Sequence, residues 1–141
     1  MTSSRSLVVA AGLVAGLGLA TPASATATLT CDVESRDVVF HVQAAVGHEA
    51  LTLSGLVGEL KLPRRGISAE IGGADLMQTW IEGEDLRLRF HVFGEGDRPD
   101  LDLTIVTRRK TETDHVGRYR LRIGEGERAP RSSGPITCVV G

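Results

Sequence analysis

Aromatic side chains are scarce in this 141-residue chain: Phe40, Trp80, Phe90, Phe93 and Tyr119 make up 4% of it. A surface that stacks successive nucleobases on several rings is hard to build from so few, and a formal net charge of −2 argues against a general polyanion binder. No nucleic-acid partner is therefore expected. Cysteine is equally sparse, with Cys31 and Cys138 the only two and no C-x-x-C spacing, which excludes the usual zinc and dithiol frameworks. Beyond residue 25 there is no apolar run long enough to span a membrane and no convincing helical stripe. Catalytic signatures are also missing. Ser54 and Ser68 have no G-x-S-x-G context, Ser132-Ser133-Gly134 reads as a loop, no glycine loop precedes a helix, and no two histidines share an H-x-x-x-H spacing. No metal, cofactor or catalytic residue is expected on these grounds.

The N-terminus does carry a recognisable pattern. Arg5 is the only charge before Asp32; the apolar run Leu7 to Ala20 follows it, then Thr21-Pro22 and Ala23-Ser24-Ala25. A charged segment, an apolar core and an A-x-A site in that order read as a signal peptide over residues 1–25, cleaved after Ala25. The run is shorter than a spanning helix and is weakened by Gly12, Gly16 and Gly18, so no stable membrane anchor is expected after cleavage. Residues 26–141 then form one domain, of a bacterial-type protein that is periplasmic or secreted. Its charge is uneven: residues 26–86 hold 4 basic and 10 acidic groups, and residues 87–141 hold 11 basic and 8 acidic.

Export changes the meaning of the two cysteines. Leu29, Cys31 and Val33 share one parity, as do Ile136, Cys138 and Val140, so on strands both thiols point inward. A Cys31–Cys138 disulfide tying the first and last strands together is the expectation.

Period-two patterning runs through the remainder. Val38, Phe40, Val42 and Ala44 form one apolar face; so do Leu86, Leu88, Phe90 and Val92, then Leu101, Leu103 and Ile105, then Tyr119, Leu121 and Ile123. Parity slips between Leu51–Leu53 and Leu56–Leu62, with Ser54-Gly55 between, which predicts a β-bulge or a tight turn. Leu76 to Ile81 gives no clean alternation. The fold class is all-β: an antiparallel β-sandwich or a small closed β-barrel of about 8–10 short strands.

One constellation stands out on the outward parity. Arg87 and Arg89 alternate along one strand, and Arg118, Arg120 and Arg122 along another. If both strands share a sheet, five guanidiniums face one way, suited to carboxylate or phosphate. The competing reading is an ion-paired solvent face, with His91 opposite Asp102 and Arg89 diagonal to it; exposed pairs of this kind are routine, and this reading is favoured. His48 and His115 fall in expected loops, and Glu112, Asp114 and His115 read as a solvated hairpin tip. The functional expectation is a non-enzymatic binding module of the cell envelope, taking an envelope protein or an anionic small ligand. The alternatives are a hydrolase with a dispersed site around His91, Asp102 or the Glu112–His115 loop, and a purely structural component.

Overall fold

A computed structural model of the chain describes residues 26–47 and 52–141. The expected signal peptide, with its cleavage site, and His48 and Leu51 lie outside these residues. Nine strands follow in order: β1 (Ala27–Glu34), β2 (Val39–Val46), β3 (Leu53–Leu62), β4 (Ile67–Gly72), β5 (Leu76–Glu82), β6 (Asp85–Val92), β7 (Leu101–Arg109), β8 (Asp114–Ile123) and β9 (Arg131–Val140). Single 3-10 turns, Pro63–Arg65 and Gly73–Asp75, flank β4, and the described residues contain no α-helix.

All nine strands join one sheet in the order β4-β3-β2-β1-β9-β8-β7-β6-β5, and every neighbouring pair is antiparallel. The sheet is rolled into a nearly closed barrel rather than two packed layers. Phe40 on β2 and Phe90 on β6 are five places apart in strand order, yet their rings meet edge to face at 5.9 Å across the interior. Parity explains the remaining opening. An all-antiparallel barrel closes only with an even number of strands, and here β4 and β5 run in the same direction. They behave as one bent strand broken by the turn at 73–75. Its first half pairs with β3 and its second half with β6. Where β4 faces the end of β6, a side chain bridges the gap: Arg98 donates from Nη1 to the Ser68 carbonyl (3.3 Å) and from Nη2 to the Phe93 carbonyl (2.6 Å).

The alternation read from sequence matches the burial. Val38, Phe40, Val42, Leu88, Phe90, Leu103, Ile105 and Leu121 are all at most 1% exposed, so the interior is a packed core and not a ligand cavity. Two irregularities account for the two parity slips. Between Gln43/Val57 and Ala45/Ser54, β3 carries one extra residue, with Gly55 at φ +59°, a bulge that any L-residue would hold under strain. Met77 is the extra residue opposite Phe90 and Arg89, which lets Leu76, Thr79 and Ile81 all oppose core residues of β6. Cys31 and Cys138 are direct partners on β1 and β9, fully buried, with sulphurs 2.07 Å apart, at disulfide distance.

Two expectations need correction. His115 does not sit in a loop: it lies on β8, faces inward and is 3% exposed, because the β7–β8 turn takes only residues 110–113. Ser132-Ser133-Gly134 belongs to β9 and not to a loop. Pro135 is tolerated there because residues 131–136 pair with β8 alone; β1 joins only from Thr137.

Candidate functional site

The outer face of β5–β9 is set by register. Across the strands, His91, Asp102, Arg122 and Arg131 form one row; Gln78, Arg89, Thr104, Arg120 and Ser133 form the next; Trp80, Arg87, Val106, Arg118 and Pro135 form a third. The five arginines singled out from sequence therefore do lie on one sheet face, with β7 between their two strands. Arg89 and Arg120 are two strand spacings apart, roughly 10 Å, and successive outward residues of β8 recur about every 6.8 Å.

Their environments differ. Asp102, only 13% exposed at its side chain, is the hub: Arg122 donates to Oδ2 from Nη2, Arg89 Nη2 stands 3.5 Å from Oδ1, and His91 Nδ1 lies 3.1 Å from the same oxygen. Partial burial alone would raise this carboxyl, but the hydrogen bonds and charges of Arg122 and His91 outweigh it and hold it below the usual carboxylate range. Arg87 lies over the Trp80 ring at 4.6 Å. Among the described residues, no carboxylate forms an ion pair with Arg118, Arg120 or Arg131.

Arg131 is a residue that alternation could not find. It opens β9 directly opposite Arg122, so two like charges face each other across adjacent strands, an arrangement that is destabilising unless something neutralises it. Asp102 serves Arg122; nothing described serves Arg131. The two arginines, with Arg89, Arg120, Thr104 and Ser133, line a groove of about 520 Å³ in which Asp102 is the single acid. A neighbouring depression of about 430 Å³ holds Trp80, Arg87 and Val106. The only sequence signal for Arg131 was its place after the turn Gly124 to Pro130.

The other candidate residues do not converge. His91 is clamped between Asp102 and Asp100, whose Oδ2 is 3.4 Å from Nε2, and its ring packs on Phe93. Among the described residues, the hydrogen bond of the His91 ring is the one between Nδ1 and Asp102, and no serine or cysteine is hydrogen-bonded to it. His115 and the exposed Glu112 do not share a surface: His115 points into the core beside Cys138, where burial, aided by the Arg109 charge and opposed by Asp114, lowers its pKa. No group of three or more His, Cys, Asp or Glu residues is placed to hold a metal ion among the described residues. Compared with known proteins, the chain matches no family, no curated protein and no solved structure.

Proposed function

We propose that this is an exported, non-enzymatic binding module of the cell envelope that recognises an anionic partner on the outer face of β6–β9. The observation that carries the reading is Arg131, which has no ion-pair partner among the described residues and faces Arg122 in a groove with four arginines and one aspartate. Planar guanidinium forks beside Thr104 and Ser133 hydroxyls supply the donors that carboxylate, phosphate or sulfate groups accept. A binding module is preferred to a hydrolase because, among the described residues, His91 is hydrogen-bonded to Asp102 and to no serine or cysteine.

Titration calorimetry with inorganic phosphate, sulfate and simple dicarboxylates tests it. Binding should weaken steeply as salt rises above about 0.1 M, where the Debye length is near 10 Å. Replacing Arg118 and Arg120 together by Ser should weaken binding while leaving thermal stability nearly unchanged, since neither forms an ion pair among the described residues. Binding that survives both high salt and the double substitution would eliminate this face as the site.

A further inference from the structure

The cationic groove continues past the sheet face. Arg131 and Ser132 line it, and they also line a second depression of about 460 Å³ at the barrel rim, together with Arg64, Arg65 and Asp37. Arg64 and Arg65 are exposed because Pro63 starts a single 3-10 turn between β3 and β4 with no buried residue in it. Arg64 Nε lies 3.2 Å from Asp37 Oδ1, with both side chains more than half exposed. Such a pair is readily exchanged for a ligand. Arg65 forms no ion pair among the described residues. Joined at Arg131, the two depressions present six arginines against two aspartates.

We infer that this continuous track holds a linear acidic polysaccharide, an inference that rests on the anion-binding reading above. A single carboxylate or sulfate satisfies one guanidinium fork and leaves the others facing each other. A polymer with regularly repeated charges neutralises the whole series, from Arg120 and Arg122 through Arg131 to Arg65. The lining favours sugar over the other polyanions. Thr104, Ser132 and Ser133 place hydroxyls among the guanidiniums, able to donate to and accept from ring hydroxyls. No aromatic ring lines either depression, so nucleobases would find no stacking platform. Leu121, Leu62 and Ile123, the apolar residues of the lining, belong to the buried face and offer no pocket for peptide side chains.

The test is calorimetric titration of the purified protein with oligogalacturonates of one, two, four and eight units. Affinity should rise with length, by about tenfold or more from dimer to octamer, as charges on one chain engage successive arginines. The variant R64S/R65S should bind the dimer within about twofold of wild type and lose about tenfold for the octamer. Unchanged melting of that variant shows that the rim is intact. Affinity independent of length, or an R64S/R65S loss equal at every length, overturns the track. Tighter binding of polyglutamate or single-stranded DNA of equal charge overturns the polysaccharide. If no uronate binds while phosphate or sulfate still does, this inference fails and the anion face stands. If no anion binds at all, both fail.

Discussion

Substituting Asp102 by Asn separates stability from binding, because the two should move in opposite directions. Asp102 is the hub of three contacts on an otherwise cationic face, and its side chain is mostly buried. Hydrogen bonds to charged groups contribute about 1.5–3 kcal/mol each when protected. Here the Arg122 bond dominates, the more exposed Arg89 contact at 3.5 Å adds little, and Asn retains one acceptor. A loss of about 2 kcal/mol follows, or roughly 6–12 °C in Tm for a domain of this size. The loss should depend on pH. The Asp102 carboxyl lies below its ordinary value when folded, so its contribution is present above the unfolded pKa of about 3.9 and disappears as pH falls through the lower folded value. The stability difference between wild type and D102N should therefore begin to narrow below about pH 4 and close as pH falls through the lower folded value. Meanwhile the groove loses its single acid. A like charge about 6 Å from a bound anion costs about 0.7 kcal/mol in a water-like dielectric, so phosphate affinity should rise about threefold. Calorimetric melting from pH 3 to 8, with phosphate titration at pH 7, reads both effects. Unchanged stability at pH 7, or weakened phosphate binding, refutes the argument.

Other outcomes are expected from elements away from the groove. Replacing Cys31 and Cys138 by Ala removes a link between residues 107 apart; for a loop of about 100 residues the chain-entropy cost is about 4–5 kcal/mol, measurable by urea unfolding against the oxidised protein. His115, whose folded pKa is depressed by burial, binds a proton more readily when unfolded. Stability should thus be complete above the unfolded value of about 6.5 and fall as pH drops below it, by at most about 1.4 kcal/mol per pH unit. H115Q should flatten that slope in urea titrations between pH 5 and 7. Arg98→Ala removes the bridge between the Ser68 and Phe93 carbonyls, and amide exchange over Ile67–Gly72 should quicken while β7–β9 remain protected.

Alternation alone made most of the barrel legible. A strand's side chains have period two, so the apolar parity of Phe40, Phe90, Leu103 and Leu121 identified the inner face, and the same rule set Arg87, Arg89, Arg118, Arg120 and Arg122 outward. The His91–Asp102 pairing was also readable, because a short hairpin loop links register to local sequence distance. Bulges hide from that rule: Met77 reverses parity within β5, and no local signal there distinguishes a bulge from an ill-formed strand. His115 was misplaced because one buried polar residue at a strand start resembles a polar turn.

Barrel against sandwich, and the groove itself, were decided only in three dimensions. Both architectures present the same alternating pattern along each strand; what separates them is which strands meet, and here the β1–β9 ladder makes one continuous sheet whose β2 and β6 meet across the interior at Phe40 and Phe90. Arg131 joined the arginine face through the β8–β9 register, and Arg64 and Arg65 reached it around the rim from the turn between β3 and β4. Composition and period determine which way a side chain points. The neighbours it meets depend on sheet order and register, because those bring together residues that no short-range sequence pattern relates.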